Sequence, residues 1–247
     1  MMAIWRSLNI LNFGLRHTKY MNHPNLLKML VTTLCGITII CAPSFANTST
    51  TPLTKQHLAQ VPKIDTLIIP GKSVGKMHKS TTYTDLLKLY GKQRLTAKKV
   101  YGAEGQVEFA GTLITLGKNR SLTVVWKDKT KKQILWVIVQ DPAWKTTEGL
   151  GVGSDLTKLR QIIGEFKITG LYWDYGNLVV DLSPAKQAQF NGLLLKVDVD
   201  PQAAKKFPKD LQAVMGDRVT LPASSPRWKR LNIRVSVMDV YFLKPSL

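Results

Sequence analysis

Thr81-Thr82-Tyr83-Thr84-Asp85-Leu86-Leu87-Lys88-Leu89-Tyr90-Gly91 aligns without a gap to Ser154-Asp155-Leu156-Thr157-Lys158-Leu159-Arg160-Gln161-Ile162-Ile163-Gly164, 73 residues further on. Each stretch opens on a hydroxyl residue able to cap helix N–H groups. Apolar residues then recur on one helical face, as Tyr83, Leu86, Leu89 and Tyr90 and as Leu156, Leu159, Ile162 and Ile163. Each ends at a glycine, the residue suited to the left-handed position after a helix. Helices of about ten residues do not persist alone in water, so each predicts an apolar support beneath it. The echo predicts a tandem duplication, with one helix-plus-sheet unit over 64–147 and a second over 148–247.

The sequence around each helix supplies that support. Ile64 to Ile69 is a short apolar run stopped by Pro70-Gly71 and predicts an edge strand. Gly111 to Leu116, Ser121 to Lys127 and Gln133 to Gln140 predict a meander. Leu122, Val124 and Trp126 share one face, and the run from Ile134 to Val139, apolar on both faces, takes a central place. Lys167 to Trp173 and Leu178 to Leu182 flank a hairpin turn at Asp174-Tyr175-Gly176-Asn177. Gly192 to Val199 alternates cleanly, Pro208 to Met215 predicts a short helix before Gly216, and Leu231 to Phe242 predicts a long strand with a bulge at Asp239. The fold class expected is α+β, as antiparallel β-meanders with short helices packed on one face and no regular βαβ crossovers.

The pattern Gly149-Leu150-Gly151-Val152-Gly153-Ser154, then Gly164-Glu165-Phe166, then Gly170-Leu171-Tyr172-Trp173-Asp174-Tyr175-Gly176-Asn177 resembles an uncharacterised family of secreted bacterial proteins. More distantly, the paired helix-plus-hairpin plan is similar to β-lactamase inhibitory protein and to the small outer-membrane-assembly lipoproteins. The closer resemblance spans about residues 64–182, and the distant one rests on architecture and the helix-ending glycines. It implies a binding plan without naming a target. The chain lacks a cysteine suitably placed for lipidation and matches no inhibitor loop, so no functional residue is carried over.

The first 46 residues read as an address. Met29 to Cys41 is apolar and uncharged, Lys28 precedes it, and Ser44 and Ala46 stand at the −3 and −1 positions of a cut before Asn47. Met21 offers an alternative start. Residues 47–63 then form a polar tether. Cleavage would remove both cysteines, Cys35 and Cys41, and leave only His57 and His78 among the histidines. That composition excludes structural disulfides, thiol chemistry and a three-histidine zinc site in the mature chain. The localisation expected is the periplasm or beyond.

The chain of 247 residues has 35 basic against 16 acidic side chains, a formal charge of +19, and 44% hydrophobic residues. Such a composition excludes wholesale disorder, and no apolar run reaches the ~18 residues of a membrane span. The excess charge is mostly lysine, which argues against phosphate reading by arginine forks and hence against nucleic acid. Two basic spots stand out: Lys127-Asp128-Lys129-Thr130-Lys131-Lys132 and Arg227-Trp228-Lys229-Arg230. The second interleaves an aromatic with cations, a pattern compatible with polyanions.

No catalytic residue, metal site or cofactor is expected. Gly71-Lys72-Ser73 and Gly75-Lys76 fail the phosphate-loop pattern, because Thr66 and Pro70 stand where its first glycine belongs. Gly149, Gly151 and Gly153 lack dinucleotide spacing and predict a turn. His78 has hydroxyl neighbours but no third group to orient it. Asp181, Asp198 and Asp200 could pair as acid and base or bind calcium, but they lack the surrounding oxygen-ligand loop, and Asp198 and Asp200 share an outward face. The expected function is therefore a secreted, non-enzymatic interaction protein. Its partner would be an envelope protein, met through Trp144, Trp173, Asp174, Tyr175 and Trp228, or an anionic envelope polymer, met through the two basic spots and above all Arg227, Lys229 and Arg230. A hydrolase built on His78 or the aspartates is the least supported alternative.

Overall fold

The structure, a computed structural model, describes residues 65–102, 105 and 107–242. The leader at 1–46, the tether at 47–63 and the first residue of the strand expected from Ile64 lie outside the described residues. In chain order the elements begin with β1 (Leu67–Ile69), β2 (Ser73–Val74), β3 (Met77–His78) and α1 (Tyr83–Tyr90). Then come β4 (Leu95–Tyr101), β5 (Glu108–Ile114), β6 (Leu122–Trp126), β7 (Ile134–Val139), β8 (Lys145–Thr146) and α2 (Leu156–Ile163). The remainder comprises β9 (Lys167–Thr169), β10 (Val179–Val180), α3 (Pro184–Gln189), β11 (Leu193–Asp198), α4 (Pro201–Lys206), α5 (Pro208–Gln212), β12 (Thr220–Pro222) and β13 (Arg234–Tyr241). This is a mixed α+β fold with mostly antiparallel sheet, as the sequence predicts.

Local side-chain chemistry sets the two longer helices. Thr82 caps α1 in a capping box: its hydroxyl accepts the Asp85 N–H at 3.2 Å, and the Asp85 carboxylate accepts the Thr82 N–H at 2.9 Å. Asp155 caps α2, accepting the Lys158 N–H at 2.8 Å. The cap is therefore Asp155 rather than the expected hydroxyl of Ser154, which instead accepts the Gly151 N–H at 3.1 Å in the preceding turn. A carboxylate at this position also favours the positive end of the helix. Gly91 and Gly164 end the helices at φ +80° and +87°, where a Cβ would be strained. The bounds of α1 and α2 differ by the same 73 residues as the sequence echo.

The principal sheet has six strands in the order β11-β13-β7-β6-β5-β4, every pair antiparallel. It draws β4 to β7 from before residue 147 and β11 and β13 from after it. β7 is central, as its two apolar faces predict. A second sheet, in the order β3-β2-β1-β8, contains a parallel pair, β1 with β8. β1 thus has a neighbour on each side and is not the edge strand expected. The third sheet is β10-β9-β12.

One core unites Leu86 of α1, Leu159 and Ile163 of α2, and Ile114, Leu122, Val124, Val137, Val139, Leu195, Val197, Met238 and Val240 of the principal sheet. Trp126 lies in it with no exposure, its indole N–H donating to the Thr112 hydroxyl at 2.9 Å and its ring edge-on to Tyr83. Burial of each such side chain stabilises the fold by roughly 1.5–3 kcal/mol before entropy is counted. The bulge in β13 lies at Ser236, between the partners Val235 and Val237, three residues before the Asp239 expected. It lets Val235 and Met238 face the same core although they stand an odd three positions apart. The helix expected from Pro208 to Met215 ends at Gln212. β4, α3 and α4 are elements whose weak apolar periodicity hid them.

Candidate interaction site

Strand alternation sends half of the principal sheet away from the core. Where Val124, Val137 and Val240 point inward, their neighbours Val125, Trp136 and Tyr241 point to the other face, as do Val100, Phe109, Leu113, Ile138, Val237 and Leu194. The helices' buried side chains all join the core on the first face, and no described helix adds one to this second face. It is apolar and aromatic all the same. Trp136 stacks on Tyr241 with centroids 5.8 Å apart and meets Phe109 edge-on at 5.0 Å. Most of its large side chains, Trp136, Tyr241, Phe109, Leu113, Ile138, Val237 and Leu194, are half-buried, while Val125 is wholly buried.

A charged pair is set into this face. Asp239 is only 5% exposed and its carboxylate meets the Lys196 ammonium at 3.3 Å. Burial pushes its pKa up, and the lysine opposes that rise only in part. Burial likewise pushes the adjacent Tyr241 hydroxyl upward, with the Asp239 charge adding to the effect.

The two edges of the sheet differ. Beside β11 the loop between β9 and β10 supplies a cover. The Val197 N–H donates to the Asn177 carbonyl at 2.8 Å, and the Asn177 amide donates to the Val197 carbonyl at 2.9 Å. Tyr172 and Asn177 hold left-handed backbone at φ +58° and +66°. The Tyr172 hydroxyl donates to Asp198 at 3.1 Å, and its pKa is pushed up to about 12 by burial and by that carboxylate. Beyond β4 no described strand follows.

The residues singled out from the sequence are distributed unevenly. Trp144 and Trp228 are core residues, 0% and 2% exposed, and do not form surface anchors. Their indole N–H groups donate inward, to the Arg120 carbonyl at 3.3 Å and the Pro222 carbonyl at 3.0 Å. Burying the apolar ring while satisfying its one donor outweighs exposure. Trp173, Asp174 and Tyr175 lie in the β9–β10 loop, closed by the Gly176 N–H donating to the Trp173 carbonyl at 2.9 Å, so the strands stop well short of the turn expected. Trp173 is half-buried and edge-on to the exposed Tyr175, with its indole N–H buried and unpaired among the described residues.

Arg227, Lys229 and Arg230 are exposed but do not act together. Arg230 pairs with Asp210 at 2.6 Å and lies over the Phe207 ring, while Arg227 donates to the Ala213 carbonyl at 3.4 Å. Lys229 lines a cleft of about 590 Å³ with Arg160, Thr157, Ser224, Ser225 and Asn232. Arg160 is paired with Glu165. In the other basic spot Lys131 turns back over Tyr83, 4.7 Å from its centroid. The acidic candidates take structural tasks: Asp200 caps α4, and Asp181 pairs with Lys167 at 3.0 Å. His78 is exposed and bonds the Ser80 hydroxyl at 2.9 Å. Among the described residues no three His, Cys, Asp or Glu side chains gather to hold a metal ion, and no helix is long and apolar enough to cross a membrane.

No sequence motif marks the aromatic face. Its signals are the doubly apolar run of β7, which equally fits a fully buried strand, and the parity break at Asp239, which marks a buried carboxylate. Compared with known proteins, the chain matches no family model, no curated protein and no solved structure.

Proposed function

We propose that this chain is an exported, non-enzymatic binding protein of the bacterial envelope, and that the second face of its principal sheet receives a protein partner. The observation that carries this reading is the Phe109–Trp136–Tyr241 cluster on a sheet face to which no described helix contributes. Aromatic side chains offer large contact area at small entropic cost, which suits a recognition surface. The leader pattern at 28–46 supports export, and the equal lengths of α1 and α2 support a duplicated origin for the two halves. Residues 47–247, immobilised and exposed to envelope extract, are expected to retain a discrete protein. Trp136→Ser should lose it without loss of cooperative unfolding. Equal retention by both forms, or no enrichment, would defeat the proposal.

A second reading has one supporting observation: Lys229 and Arg160 line the same cleft. It proposes an anionic envelope polymer as ligand, with affinity falling steeply as salt rises. Binding of purified lipopolysaccharide that is indifferent to salt, or unchanged in Lys229→Ala, would exclude it.

A further inference from the structure

The border of the proposed binding face is β4, whose outer side no described strand pairs. β4 pairs with β5 over seven residues, Leu95↔Ile114 through Tyr101↔Glu108, without a register shift. The Thr115 N–H donates to the Arg94 carbonyl at 2.9 Å and the Gly102 N–H to the Val107 carbonyl at 2.8 Å, which assigns the hydrogen-bonded pairs to the even-numbered residues of β4. The N–H and C=O groups of Ala97, Lys99 and Tyr101 therefore point away from the sheet, and no described residue bonds them. Ala97, Lys98, Lys99 and Tyr101 are all exposed, Tyr101 by 59%. The strand contains no proline to obstruct a ladder.

We infer that β4 accepts an extended acidic segment of the protein partner as a seventh strand, with adjacent carboxylates over Lys98 and Lys99. This rests on the binding reading above and specifies its chemistry. Backbone hydrogen bonds supply the docking, as in other strand additions, and side chains select the partner. Charge chooses the occupant. In antiparallel pairing of two copies of β4, registers about its centre set lysine against lysine, and like charges directly opposite are destabilising. A segment with two adjacent glutamates places one carboxylate on each face, opposite a lysine on each. Glu108 already holds Lys99 at 3.0 Å on an exposed surface, so the lysine can be shared or recruited with little loss.

The test uses residues 47–247 and a blocked seven-residue peptide of valine and threonine with two central glutamates, compared with its two-lysine counterpart. Amide exchange by NMR should slow at least tenfold at Ala97, Lys99 and Tyr101 with the glutamate peptide, and the lysine peptide should bind at least tenfold more weakly. Lys99→Pro removes an outward N–H while sparing the bonds to β5, so it should abolish the slowing. Because that variant disturbs an edge, Lys98→Glu with Lys99→Glu provides a second arm and should reverse the peptide preference. Absent slowing, equal binding of both peptides, or a β4-dependent dimer by sedimentation would overturn the inference. If Trp136→Ser still abolishes partner capture while the peptide fails, the edge inference alone falls. If the peptide binds but no envelope protein is captured, the edge stands without its proposed setting.

Discussion

On one side of the principal sheet Val124, Val137 and Val240 are wholly buried in the core shared with Leu86 of α1 and Leu159 of α2. One residue away on the same strands, Val125, Trp136 and Tyr241 join a face that receives none of the described helices' buried side chains. Both faces are apolar, so hydrophobicity alone does not distinguish them. The helical layer does. On the core face apolar area is removed from water, and the Trp126 indole N–H is met within by the Thr112 hydroxyl. On the other face the aromatic rings shield one another only partly, and the carboxylate of Asp239 is retained among them. A surface that holds Trp136 and Tyr241 half-buried is suited to gain from a further layer, which is what partner binding would supply.

The comparison breaks most readily under cavity formation. Leu159→Ala should lower unfolding free energy by about 2–5 kcal/mol, because the void beneath α2 cannot collapse, whereas Ile138→Ala on the second face should cost about 1 kcal/mol. Urea denaturation of both variants checks this, and equal losses would show that the second face is as tightly packed as the core. Thr112→Val is a subtler probe of the core side. It leaves the Trp126 indole N–H without its acceptor and should cost about 1–3 kcal/mol, measured in the same way.

The smallest effect sharpens the electrostatic side. The folded pKa of Asp239 is raised above its unfolded value, so the native state holds the proton more tightly. Its contribution is fully favourable below the ordinary carboxylate range and is lost as pH rises through the raised pKa, opposite in sign to a salt-bridged aspartate. Other carboxylates titrate in the same range, so the readout is the difference between wild type and Asp239→Asn. Stability measured from pH 3 to pH 8 should decline with pH in that difference. A flat difference, or one rising with pH, would contradict burial as the dominant influence on this group.

Much of the fold was legible in sequence wherever the determinant is local. The apolar faces and terminal glycines of α1 and α2 and the alternation from Leu193 to Val199 each lie within a few residues. The substitution of Asp155 for Ser154 as the second cap shows the same rule: both can accept an N–H, and only backbone placement selects one. The residues proposed for binding were less legible. Trp144 and Trp228 were expected outside and lie inside, since an indole can satisfy its single donor on a carbonyl supplied by distant chain. Trp136 and Tyr241 drew no notice, because neither carries a motif.

Sequence by itself determined where α1 and α2 lie and which strands alternate, since terminal glycines and periodicity act over one or two turns of chain. Only the tertiary structure decided that β7 lies beside β13, that the Asn177 loop covers the β11 edge while no described strand pairs β4 beyond β5, and that one apolar face receives the buried side chains of the described helices. Those outcomes depend on pairings between residues far apart in the chain, where backbone hydrogen bonds carry no side-chain signature and equal hydrophobicity serves either face.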